Sequence, residues 1–244
     1  MAPSLMPIVC LMLVAERFAE VQARISAAAV KYGRHREDIC LIAVSKNQTI
    51  KAITELALLG QKDFGENYLQ EALPKISLLK ENSLVWHFIG QLQSNKTRVI
   101  AEQFDWVHTL DRAKLAERLN TQRPSHKAPL QVCIEVQLSD EAGKGGIHCS
   151  ELPALIETVA AAPRLQLRGL MAIPPIESTL PAQARWFCAL RDLKQQLCES
   201  HPYLDTLSMG MSGDLEAAVS AGSTHLRIGS SLFGTRTPLP PKID

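Results

Sequence analysis

The chain has 244 residues, 46% of them hydrophobic, which suits one large domain, or two small ones, with a sizeable core. Its 26 basic and 25 acidic residues nearly cancel, which argues against a broad electrostatic footprint for nucleic acid or an anionic membrane surface. A small anionic ligand stays compatible with that balance, because it needs only a local pocket.

The N-terminal stretch 1–14 carries no positive charge of the kind a signal peptide opens with, and its apolar run 8–14 is far too short to span a bilayer. It merges into a helical pattern carried by Phe18, Val21 and Ile25, and so reads as an extension of the first helix. Short apolar runs of β type follow at 39–44, 63–65, 84–89, 106–109, 131–136, 166–171, 206–208 and 225–228. Several are almost continuously apolar, as strands buried on both faces should be. Between them, 50–59, 111–120, 151–162, 182–197 and 215–221 repeat apolar residues at three- and four-residue intervals. Asp111 and Ser150 sit where helix N-caps are expected, and Gly60 and Gly222 where helices should stop. No linker, repeat or low-complexity block divides the chain, so 1–244 reads as one domain, with a loose tail over 237–244.

Eight strands alternating with helices predict an α/β fold, a single (β/α)8 TIM barrel. An open doubly wound sheet is the alternative, but no GxGxxG follows the first strand. The run Gly143-Lys-Gly-Gly146 lacks phosphate-loop spacing and reads as a flexible loop. The cysteines, at 10, 40, 133, 149, 188 and 198, form no CxxC pair, which predicts reduced, mostly buried thiols in a cytoplasmic protein. The histidines show no HExxH spacing; His87 and His225 fall inside strand patterns and read as barrel-lining. Asp214 and Glu216 read as helix-starting acids. Ser212 lies outside any GxSxG elbow, which argues against a serine hydrolase.

In such a barrel, chemistry collects at the C-terminal ends of the strands. Lys46 follows five apolar or small residues there, so its stem should lie against the barrel interior. Desolvation disfavours the ammonium, and a neutral amine attacks carbonyls to form Schiff bases. A lysine that ends a strand and snorkels to solvent fits the same pattern. After strand eight, Gly229-Ser-Ser231 offers small residues, hydroxyls and backbone N–H groups before a helical turn, which suits phosphate. Ser212 could add a donor from the loop after strand seven. An ordinary Gly/Ser turn fits the composition equally well.

Taken in order, Ala43-Val-Ser-Lys46, Phe64-Gly-Glu-Asn-Tyr68, Trp86-His-Phe-Ile-Gly90 with Gln93-Ser-Asn-Lys96, Gly169-Leu-Met-Ala-Ile-Pro174, Leu207-Ser-Met-Gly-Met-Ser212 and Arg227-Ile-Gly229 with Phe233-Gly234 resemble the pyridoxal phosphate homeostasis protein family. That family consists of barrels similar to the N-terminal domain of alanine racemase. The resemblance spans roughly 16–236; the stretch 1–14 has no counterpart, and the tail after Arg236 differs. It implies that pyridoxal 5′-phosphate (PLP) is held as a Schiff base on Lys46. Ser212, Gly229 and Ser230 would hold its phosphate, Arg227 would face the pyridine nitrogen, and Asn67 and Met171 would line the ring. Arginine donates hydrogen bonds and keeps its proton, so a pyridine beside it stays unprotonated and is a weak electron sink. With no second domain expected after strand eight, the implied role is a non-catalytic binder in intracellular vitamin B6 and amino-acid homeostasis. PLP-dependent apoenzymes would be the recipients. A single-domain PLP-dependent racemase is the alternative, and a cofactor-free Schiff-base aldolase a weaker one. The protein is expected to be a monomer that binds neither nucleic acid nor membrane.

Overall fold

The computed structural model describes residues 6–139 and 145–234, with side chains described from residue 13. The expected tail at 237–244 and positions 143–144 of the glycine-rich loop lie outside the described residues.

The chain opens with helix α1 (Met6–Lys31), whose Val21, Ile25 and Ala28 are buried at helical spacing. Then strands and helices alternate: β1 (Cys40–Val44), α2 (Ile50–Leu58), β2 (Asp63–Glu66), α3 (Leu69–Leu78), β3 (Val85–Phe88), α4 (Thr97–Gln103), β4 (Trp106–Leu110), α5 (Ala113–Gln122), β5 (Leu130–Glu135), α6 (Leu152–Ala160), β6 (Leu165–Met171), α7 (Leu180–Cys198), β7 (Thr206–Ser208), α8 (Leu215–Ser220), β8 (His225–Ile228) and a final turn of helix, α9 (Ser230–Phe233). The eight strands are parallel and form one closed barrel in sequence order. Closure comes from β8 against β1, in the register Cys40 to His225, Ile42 to Arg227 and Ala43 to Ile228. All eight strand expectations correspond to strands, with no end moved by more than one residue.

The helix ends show how local chemistry sets boundaries. Thr49 and Thr179 start α2 and α7, each side chain accepting from a first-turn N–H, of Ala52 and Ala182. Gly60 and Gly222 follow α2 and α8 with φ of 95° and 94°, the left-handed geometry that glycine adopts without steric cost. Asp111 and Ser150 are not caps. Asp111 instead pairs with the neighbouring Arg112 at 2.8 Å, and Ser150 lies inside a 3-10 turn (Cys149–Glu151) that leads into α6. Asp214 does sit at the N-cap of α8, where it accepts from Met211 N, while Glu216 pairs with Arg24 of α1.

The main apolar core lies between strands and helices. Phe64, Phe88, Val107 and Ile134 face outward from the barrel toward Ile53, Ile100, Leu115, Leu119 and Phe187. Phe88 meets Phe104 edge-on, ring centroids 5.4 Å apart, a contact worth about 1 kcal/mol beyond area burial. The barrel interior is more polar: His87, Trp106, His108 and His225 cluster there, with Trp106 and His225 centroids 5.0 Å apart. The described cysteines are free, as expected, but only Cys133 is fully buried; Cys149 is exposed and the other described ones are half-buried.

Candidate cofactor site

Lys46 sits in the tight turn that follows β1, and that turn is held on three sides. Ser45 N donates to Gly65 O at 3.0 Å, and Ser45 Oγ donates to Glu66 Oε1 at 2.6 Å. Lys75, reaching in from α3, donates from Nζ to Ser45 O at 2.8 Å and to Glu66 Oε1 at 2.7 Å. Asn47 has a φ of 60°, a left-handed conformation uncommon outside glycine, and its N–H is fixed by Glu71 Oε2 at 2.7 Å. Glu66 and Lys75 are both buried. Burial pushes the Glu66 carboxyl up, and its bonds from Lys75 and Ser45 pull it back. This arrangement fixes the direction in which Lys46 leaves the strand.

Lys46 lines a cleft of about 180 Å³ at the C-terminal end of the barrel, together with Ser212, Gly229 and Ser230. Val44, Gln48, Met211 and Gly234 complete its wall. Ser212 Oγ accepts from Ser231 N at 3.3 Å, which ties the β7 loop to the first turn of α9. At Gly229 a Cβ would meet Val44 O at 3.3 Å, so a larger residue would press on β1 next to Lys46. A small residue keeps the backbone open to an anion at that point.

Below the cleft, Arg227 is 5% exposed. Its Nη1 donates to Ser208 Oγ at 2.7 Å and its Nη2 to Ala172 O at 3.1 Å, while its backbone N–H holds Gly210 O in the β7 loop. Burial lowers its pKa, opposed by the Glu135 and Asp214 carboxylates. Glu135, at the end of β5, is pushed up to about 7 by burial, against the pull of Arg227. Met171 is fully buried at the end of β6, one residue before the carbonyl that Arg227 grips. Asn67 follows β2, and its backbone lies so close to Gly90 that a Cβ there would come within 2.2 Å of Asn67 O. The buried Asn67 Oδ1 has no hydrogen-bond partner.

The fold therefore brings Lys46, Ser212, Gly229 and Ser230 to one cleft, with Arg227 and Met171 beneath the strand ends and Asn67 outside the cleft wall. Sequence reasoning missed Lys75, Glu66, Glu135 and Ser208. Lys75 lies in a helix that no periodic signal announced, and an exposure of only 5% for a lysine is a property of packing alone. His87 and His225 are barrel-lining as expected. Among the described residues, no cluster of His, Cys, Asp or Glu is placed to hold a metal, and no helix is long and apolar enough to cross a membrane.

The chain's relatives agree with this fold. A family profile described as "Alanine racemase, N-terminal domain" matches residues 22–237. The pyridoxal phosphate homeostasis protein of Vibrio cholerae is 50% identical over 225 residues, covering 91% of this chain and 95% of that protein. Its counterpart in Pseudomonas aeruginosa is 52% identical over 223 residues, covering 91% and 96%. Among solved structures, PipY of Synechococcus elongatus with PLP bound superposes with a TM-score of 0.80 at 36% identity, covering 91% of this chain and 100% of that one. Alanine racemase from Corynebacterium glutamicum shares the fold, with a TM-score of 0.68 at 16% identity; this chain covers 62% of it. With half its residues shared with curated members over nearly their full length, the chain belongs to the pyridoxal phosphate homeostasis protein family, built on the fold of the alanine racemase N-terminal domain.

Proposed function

We propose that this chain is a PLP-binding protein of intracellular vitamin B6 and amino-acid homeostasis, acting as one barrel domain that holds the cofactor through Lys46. The observation that carries this reading is that Lys46 shares one cleft with Ser212, Gly229 and Ser230, an amine beside an anion-suited turn. The orphaned, buried Asn67 Oδ1 near the strand ends also fits a polar ligand that the protein itself does not supply. Bound there, PLP supplies an aldehyde for the amine and a phosphate for the turn.

The protein's own residues divide the work. The Ser45–Lys75–Glu66 cluster and Glu71 fix the turn, so Lys46 presents its amine in one direction. Ser212 and the backbone at Gly229 and Ser230 would hold the phosphate, with Met171 and Asn67, both outside the cleft lining, as the residues assigned to the ring. Arg227 would face the ring nitrogen: it donates, cannot take a proton, and would leave the pyridine unprotonated. A ring held this way is a weaker electron sink, which racemases of this barrel type offset with other catalytic groups; holding without turnover is the reading we favour. Free cysteines fit a reducing cytoplasm, where PLP-dependent apoenzymes would receive the cofactor from a monomeric holder.

The test is direct. Protein purified from cells should be yellow, and borohydride should fix the cofactor to the peptide containing Lys46. A colourless protein with no reducible adduct overturns the assignment. Sustained racemisation of an amino acid that vanishes with Lys46→Ala would replace the holder with an enzyme.

A further inference from the structure

A continuous chain of hydrogen bonds crosses the barrel interior beneath the cleft. Arg227 Nη1 donates to Ser208 Oγ at 2.7 Å. Ser208 Oγ lies 2.8 Å from His108 Nδ1, His108 Nε2 lies 2.9 Å from His87 Nδ1, and His87 Nε2 lies 3.0 Å from Asp63 Oδ1. Ser208, His87 and His108 are fully buried, while Asp63, at the N-terminal end of β2, keeps 29% of its side chain exposed. The chain therefore links the far mouth of the barrel to the arginine under the cleft.

Both ends demand the same direction. A carboxylate only accepts, so His87 Nε2 carries a hydrogen toward Asp63. A His87 ring carrying one proton has a bare Nδ1, which accepts from His108 Nε2–H. Burial and the neighbouring His87, His225 and Arg227 push His108 well below the ordinary histidine range, so it is neutral, and its Nδ1 is bare in turn. Ser208 then donates to His108 and accepts from Arg227. A guanidinium only donates, so the opposite end closes the sequence without conflict. Every link points from the cation to the anion, and links aligned in this way polarise one another in a low-dielectric interior.

We infer that Asp63, His87, His108 and Ser208 are positioning residues that set the orientation of Arg227, and through it the electronic environment of the ligand at the cleft, from the opposite end of the barrel. The ligand half of this inference rests on the cofactor reading above. Cys40 also packs its thiol on Asp63, and Arg168 and Asp205 flank the same mouth, but none of them enters the sequence of bonds. Asp205 therefore serves as a control at the same face.

Two readouts on the full-length protein test it. The first is ¹⁵N NMR of the histidine rings, which needs no variant. His87 and His108 should both show a protonated Nε2 and a bare Nδ1; a protonated Nδ1 on His108 overturns the inference. The second is the visible spectrum of the PLP-loaded protein. Asp63→Leu, which removes the terminal acceptor, and His108→Phe should each shift the absorption maximum. Asp63→Asn keeps an acceptor for His87 and should restore the wild-type maximum, and Asp205→Asn should leave it unmoved. An unmoved maximum in a folded Asp63→Leu protein, judged by circular dichroism, overturns the inference while PLP binding stands. A wild-type protein that takes up no PLP refutes the cofactor reading instead, and the ring tautomers still decide whether the relay exists.

Discussion

Replacing Lys75 by methionine should expose how much the fold invests in orienting Lys46. Lys75 keeps 7% of its side chain exposed and Glu66 none, and the pair is 2.7 Å apart. Breaking a buried pair by removing one partner costs about 3 kcal/mol or more, because the remaining charge is left without compensation. Here the remaining bond to Glu66 is the one from Ser45, since Glu66 Oε2 has no partner. Burial already raises the Glu66 carboxyl, and without Lys75 it rises further. A carboxyl whose folded pKa lies above its unfolded value binds its proton more tightly in the folded state. The penalty is therefore absent below about pH 4 and grows as pH climbs through the variant's folded value. Urea unfolding should show Lys75→Met destabilised by about 3 kcal/mol near pH 8, and by clearly less near pH 5. Adding Glu66→Gln should recover much of the loss near neutral pH. Because Ser45 O also loses a donor, borohydride trapping at Lys46 should fall in the single variant even where it is folded. A loss below about 1 kcal/mol near pH 8, or a larger loss near pH 5, would refute the reasoning.

On the proposed reading the phosphate contacts at Ser212, Gly229 and Ser230 would carry the affinity, so Arg227→Ala should shift the spectrum of the loaded protein more than it weakens retention; equilibrium dialysis against PLP with parallel absorbance scans checks this, and loss of most binding would contradict the assignment. Gly90→Ala would place a Cβ within 2.2 Å of the Asn67 carbonyl, a backbone clash. Thermal unfolding should show a loss of about 3 kcal/mol or more, or failure to fold. Glu135, held at about 7, should show a protonated carboxyl band in infrared difference spectra near pH 6 that is lost near pH 8 and absent in Glu135→Gln. Its sign is that of a raised carboxyl: its contribution to stability is full below its unfolded value and declines as pH rises to about 7.

The barrel strands were legible because a parallel strand covered on both faces must be apolar almost throughout, and runs such as Ile42-Ala-Val44 have no other simple use. Helices α3 and α4 were not legible. Helix α3 contains Pro74 and starts at Tyr68 without a capping side chain, and α4 is seven residues long with no side-chain cap at Lys96. Their helicity comes from packing against the barrel, with Ala72, Ile100 and Ala101 fully buried. The expected caps at Asp111 and Ser150 failed for a related reason: a local signal states a preference, and the neighbouring Arg112 and the 3-10 turn at Cys149–Glu151 overrode it.

The site divides along the same line. The sequence by itself determined which residues stand at the strand ends, because the order of strands around a (β/α)8 barrel follows the order in the chain, and this put Lys46, Ser212, Gly229 and Ser230 at one mouth. Only the tertiary structure decided what grips them. Lys75 reaches Ser45 across 30 positions of sequence, and His108 meets Ser208 across 100. No periodicity encodes such meetings. They exist because closing the fold removes water from around these groups, and enclosed polar groups gain stability from whichever partners the closure brings together.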